Sequence, residues 1–109
     1  MRESYVSRCE RQVMKVIWQS KEELDLANIL KAVNKNTGND WKPQTVSTFL
    51  SRLVKKGYLK GTRKGRYVYY QPLITREKWI IAAIKEDCDI ANIPSESVIE
   101  EVLKLSKTH

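Results

Sequence analysis

A mostly α-helical fold with one small β-hairpin is what this 109-residue sequence predicts, and three observations carry the prediction. Apolar residues recur at i, i+3, i+4 and i+7 in separate stretches, the pattern of helices that each bury one face. One tyrosine-rich stretch instead alternates around Arg63-Lys64-Gly65, which fits two short antiparallel strands. No repeat, low-complexity tract or Pro/Ser-rich linker interrupts the chain, so its length suits one small domain with an appendage. Hydrophobic content of 41%, with three Trp and five Tyr, can close a modest core.

The elements follow in order. Ser7 with Glu10 three residues later is a capping-box pattern, and Cys9, Val13, Met14, Ile17 and Trp18 continue at helical spacing, which predicts a first helix over about 7–20. Asp25 can cap a second, over about 26–36, with Leu26, Ile29, Leu30 and Val33 inward and Asn36-Thr37-Gly38-Asn39 as its stop. Pro43 suits the first turn of a third, where its missing N–H has no intrahelical partner to lose. Val46, Phe49, Leu50, Leu53 and Val54 form its inward stripe, and Lys55-Lys56-Gly57 supplies a basic last turn and a glycine stop. Tyr58–Thr62 and Arg66–Gln71 are the expected strands, closed by Pro72. Thr75 can cap a fourth helix through about Cys88, and Ser95 a fifth through about Ser106. The three tryptophans are read as packing anchors.

Three short helices and a hairpin, here residues 1–74, make a winged helix-turn-helix, in which the third helix enters the major groove and the wing follows the backbone beside it. On a helical wheel of the third helix, Gln44, Thr48, Ser51, Arg52 and Lys55 lie opposite the apolar stripe, with Thr45 and Ser47 on the flanks. That outward face holds an amide, hydroxyls and cations but no carboxylate, a set able to meet base edges and phosphates. The charge pattern agrees. Net charge is +7, and from Asp40 to Glu77 no acidic residue interrupts nine basic ones: Lys42, Arg52, Lys55, Lys56, Lys60, Arg63, Lys64, Arg66 and Arg76. A solvated basic face without a partner is the alternative. Arg63, Lys64 and Arg66 form a basic wing tip, and Tyr67 beside them either packs or bonds phosphate through its hydroxyl.

The run from Trp41 to Leu59, with its TV-x-T-x-L-x-R-L-x-x-KG string, and the Tyr67-Val68-Tyr69 wing closely resemble the penicillinase-repressor family, also called BlaI/MecI/CopY. The resemblance covers about residues 5–78 and includes a similar opening helix, with Glu10, Val13, Met14, Ile17 and Trp18. It implies a homodimeric bacterial repressor on a twofold operator near a resistance or metal-homeostasis gene. It also implies DNA contacts at Lys42, Thr45, Ser47, Thr48, Ser51 and Arg52 and on the wing at Arg63, Lys64 and Arg66, a set overlapping the one taken from the wheel. Two features linked to induction in similar proteins are missing: an Asn-Phe cleavage pair, since Phe49 is the one Phe, and Cys-x-Cys motifs, since the tail holds only Cys88.

The tail, residues 75–109, looks shorter than the family's dimerisation region. Residues 81–109 carry three basic and six acidic side chains, a composition that phosphate repels. Trp79, Ile80, Ala83, Ile84, Val98, Ile99, Val102 and Leu103 need a partner surface, either a sister subunit or the chain's own winged domain. Enzymatic function is not expected: the one histidine is His109, and no phosphate-cradling loop or Cys/His cluster marks a site. No cofactor or metal is expected, and Cys9 and Cys88 are read as free thiols. The longest apolar run, Trp79 to Ile84, is far below the ~20 residues of a membrane span, and the start MRESYVSRCER does not read as a signal peptide, so a cytoplasmic location is expected. The expected function is sequence-specific repression at duplex DNA. Its alternatives are a winged protein-interaction module and an RNA-binding hairpin.

Overall fold

The computed structural model describes residues 8–107 and divides the chain into two compact units, Met1–Ile74 and Thr75–His109. The first unit runs α1 (Arg8–Gln19), β1 (Leu24–Asp25), α2 (Leu26–Thr37), α3 (Pro43–Lys55), β2 (Leu59–Lys64) and β3 (Tyr67–Pro72). Its sheet is antiparallel with the order β1-β3-β2. The second unit is a pair of helices, α4 (Arg76–Ala91) and α5 (Ser95–Ser106).

The apolar stripes meet in one core. Val13, Met14, Val16 and Ile17 of α1, Ile29 and Val33 of α2, Val46, Leu50 and Leu53 of α3, and Leu59 of β2 are all buried. Each such side chain contributes about 1.5–3 kcal/mol of transfer free energy, so the three helices pack mutually and the sheet closes over them. Trp18 is half-buried and its indole N–H donates to the Ile74 carbonyl at 3.0 Å, fixing the end of the unit.

Several expectations are corrected. Ser7, and with it the expected capping box, lies outside the described residues; the Glu10 carboxylate is buried and paired with Lys56 Nζ at 3.1 Å. Val54, expected inside, is 40% exposed, because it lies at the edge of the α3 stripe where the next turn leaves the core. The two-residue strand β1 escapes notice in the sequence; it exists through pairing of Leu24 and Asp25 with Tyr70 and Tyr69. The hairpin is longer than expected: Lys64 pairs with Tyr67, so the turn is Gly65-Arg66, and Arg63 and Lys64 lie in β2. Gly65 has φ +66° and Arg66 does not share the positive φ, the pattern of a type II′ turn. Helix α4 continues past Cys88 to Ala91, ending at Asn92 in the left-handed conformation (φ 58°). Thr75 does cap α4, accepting from Lys78 N–H, whereas α5 is capped by Pro94, not Ser95. Ser95 is instead the first helical residue, and the Ser97 hydroxyl donates back to the Pro94 carbonyl.

Candidate nucleic-acid interface

Helix α3 is held on its buried side and bare on the other. With Val46, Leu50 and Leu53 fully buried, the wheel turns Gln44, Thr45, Ser47, Thr48, Ser51, Arg52 and Lys55 outward, and all of them are exposed. Thr48 donates its hydroxyl to the Gln44 carbonyl at 3.0 Å, which orients the oxygen and leaves its lone pairs for an outside donor. Lys42 is the N-cap residue but makes no side-chain cap; its ammonium pairs with Asp40 at 3.0 Å, both ends widely exposed.

The start of α3 is fixed from α2. The Asn34 side chain accepts from the Trp41 N–H at 2.8 Å and donates to the Trp41 carbonyl at 3.0 Å. Trp41 packs edge-on against Phe49 of α3, with ring centroids 5.4 Å apart. Gly38 closes α2 in the left-handed conformation (φ +73°), a conformation that costs a Cβ-bearing residue energy, and its N–H donates to the Asn34 carbonyl at 2.9 Å. The tryptophan is thus half-buried at the α2–α3 connection, in keeping with a packing role.

On the wing, Arg63, Lys64, Arg66 and Tyr67 are all exposed, Tyr67 by 53%. Tyr67 is therefore not packed into the core. Val68 and Tyr70 share the opposite face, where a Cβ on Gly61 would come within 3.1 Å and 3.2 Å of them. Lys64 is already engaged: Nζ lies 2.7 Å from Glu23 and 5.7 Å from the centre of the Tyr69 ring. Partly exposed pairs such as Lys42–Asp40 and Lys64–Glu23 are worth about 0–1 kcal/mol, so a phosphate can displace either carboxylate. Sequence reasoning misses both Asn34 and Glu23, whose partners lie 7 and 41 residues away.

In the second unit, Trp79, Ala83, Ile84 and Val98 are half-buried, while Ile80, Ile99, Val102 and Leu103 are 47–55% exposed. Ile81, Ile90, Ile93 and Leu105, which the sequence reading did not single out, are exposed too. Among the described residues no cluster of His, Cys, Asp and Glu could hold a metal ion, and no helix is long and apolar enough to cross a membrane.

This geometry separates two kinds of contact. Arg52 stands on the exposed, carboxylate-free side of α3; on the reading that this side meets base edges, Arg52→Ala is expected to weaken binding to a preferred duplex by about 1–3 kcal/mol and to relax its sequence preference. Lys64→Ala should lower affinity for all duplexes about alike, as loss of a phosphate contact does. Equal, sequence-independent losses in both variants, measured by titration of matched and scrambled duplexes, would show that α3 does not read bases.

The family model described as penicillinase repressor matches residues 6–107. The penicillinase repressor of Bacillus licheniformis is 36% identical over 75 residues, which are 69% of this chain and 56% of that protein. The methicillin resistance regulatory protein MecI of Mammaliicoccus sciuri is 28% identical over 99 residues, 91% of this chain and 69% of that protein. The chain thus spans little more than half of the first relative and about two thirds of the second. Among solved structures, the DNA-binding domain of the repressor BlaI superposes with a TM-score of 0.59 at 34% identity, over 71% of this chain and 90% of that one. The monomeric form of Bacillus licheniformis BlaI, in complex with the blaP half-operator, gives 0.55 at 35% identity, over 68% and 87%. With the winged unit in common and the family pattern running from residue 6 to 107, this chain belongs to the penicillinase repressor family.

Proposed function

We propose that this chain is a sequence-specific transcriptional repressor, a cytoplasmic bacterial protein without catalytic activity that binds a twofold DNA operator as a homodimer. The observation that carries the reading is the outward face of α3: exposed hydroxyls, an amide and cations with no carboxylate among them, beside a basic wing. A generic helix face mixes Glu with Lys for i,i+4 pairing, and this one does not. The monomeric form of BlaI was solved on a half-operator, and the same division of labour suits the present chain, one winged unit per half-site. Residues Lys42, Gln44, Thr45, Ser47, Thr48, Ser51, Arg52 and Lys55 then face the major groove, while Arg63, Lys64, Arg66 and Tyr67 follow the backbone. The second unit, with its exposed isoleucines and leucines, joins two subunits and holds both half-sites at high effective concentration.

The test is a salt titration on duplexes selected from a random pool. Two subunits together should displace roughly 6–10 counterions, giving a steep fall of log affinity with log salt, and selected duplexes should outcompete scrambled ones. A flat slope with equal affinity for every duplex would instead mark a protein-interaction module.

A further inference from the structure

We propose that Asn34 is a positioning residue for base recognition, setting the start of α3 through the backbone of Trp41. The inference rests on the DNA-binding reading above and names the side chain on which its selectivity depends. Recognition helices read bases with their N-terminal residues, so the direction in which the chain enters α3 governs where Gln44, Thr45 and Thr48 fall. No side-chain cap at the helix end secures that direction. The N-cap residue Lys42 makes no side-chain cap, and its ammonium is spent on the exposed Asp40.

The fixing comes from the preceding helix. The Asn34 carboxamide engages both backbone groups of Trp41, at 2.8 Å and 3.0 Å, as a neighbouring strand would. The Asn34 backbone carbonyl accepts from the Gly38 N–H, so the same residue also closes the end of α2 from which the connection leaves. From Trp41 the constraint passes on with little slack. Lys42 precedes a proline, which confines it to the extended conformation observed (φ −93°, ψ 158°), and Pro43 has its own φ locked by its ring. Two stiff residues therefore connect the clamped peptide to the first turn of α3. The Trp41 ring, edge-on to Phe49, couples the same peptide to the middle of the helix. Asparagine suits the task because its short side chain carries an acceptor and a donor on one carbon, Oδ1 and Nδ2.

Phosphate contacts tolerate a displaced helix start far better than bidentate contacts to base edges do. The experiment compares affinities of the full chain for a duplex selected by the unaltered protein from a random pool and for a scrambled duplex of equal length and composition. Asn34→Ala should lower the selected-to-scrambled ratio about tenfold or more, with affinity for the scrambled duplex changed less than about threefold. Asn34→Asp keeps the acceptor toward the Trp41 N–H and loses the donor; the ratio cancels its added charge and should fall to an intermediate value. The control is Thr37→Ala, which removes the hydroxyl bonds to Val33 and Asn39 in the same connection without touching Trp41. It should lower thermal stability yet keep the ratio within about threefold. If Asn34→Asp retains the full ratio, or if Thr37→Ala loses as much as Asn34→Ala, the positioning role is overturned. Should the unaltered protein itself fail to prefer any duplex, the DNA-binding reading falls and not the clamp, which would still be seen as slow exchange of the Trp41 amide proton.

Discussion

Ile99→Glu is expected to shift the protein from dimer to monomer and to lower operator affinity well over tenfold, about 1.4 kcal/mol or more. Ile99 is 50% exposed on α5, a helix on which no residue is buried, beside Val102 and Leu103 at 47% and 54%. A surface of that kind on a protein without a partner would be an aggregation liability, whereas a second copy would cover it. A carboxylate in its centre must either lose its water or hold the helices apart. The winged unit contributes none of these residues, so its fold and its contacts with a single half-site should remain. What is lost is the second half-site. Sedimentation velocity at tens of micromolar and titration of a selected palindromic duplex check this together. A monomeric unaltered protein whose affinity is unchanged by Ile99→Glu would show that the second unit has another purpose.

Legibility in the sequence tracks how local each signal is. Helix α3 was readable to its ends, Pro43 and Lys55, because the proline, the apolar spacing and Gly57 all act within a few residues. The outward face followed from the same wheel, and each of its residues is exposed. Strand β1 was not readable: two residues carry no period, and Leu24 and Asp25 become a strand only through Tyr70 and Tyr69 across the sheet. The pairing of buried Glu10 with Lys56 leaves no mark on local spacing, because the two lie 46 residues apart. Asn34 is not legible, since its partner is a backbone and leaves no mark on composition. On α4 the spacing selected Ile80 and Ile84 but passed over Ile81 and Ile90, also exposed, because a helix apolar on several sides has no single stripe to follow.

Lys56→Met is expected to destabilise the winged unit by about 2–3 kcal/mol while leaving the DNA affinity of folded protein within about twofold. The Glu10 carboxylate is only 3% exposed, and Lys56 Nζ lies 3.1 Å away with its side chain 17% exposed. Removing one partner of a fully buried pair costs roughly 3–5 kcal/mol, because the remaining charge keeps its desolvation penalty without its counter-charge. The lysine end of this pair reaches solvent, which places the cost below that range. For a unit of this size the loss corresponds to a melting temperature lower by roughly 10–20 °C. Glu10→Gln in the same background should restore much of it, since an amide is cheaper to bury than a carboxylate that has lost the Lys56 charge. The same geometry takes Lys56 out of the basic run proposed to meet DNA: at the C-terminal end of α3 its charge turns toward α1, whereas Arg52 and Lys55 face outward. Thermal melts and duplex titrations of Lys56→Met and Arg52→Ala should therefore separate cleanly, the first variant losing stability and the second losing recognition. A Lys56→Met variant that melts with the unaltered protein but binds every duplex tenfold more weakly would reverse the assignment and put Lys56 on the phosphate backbone.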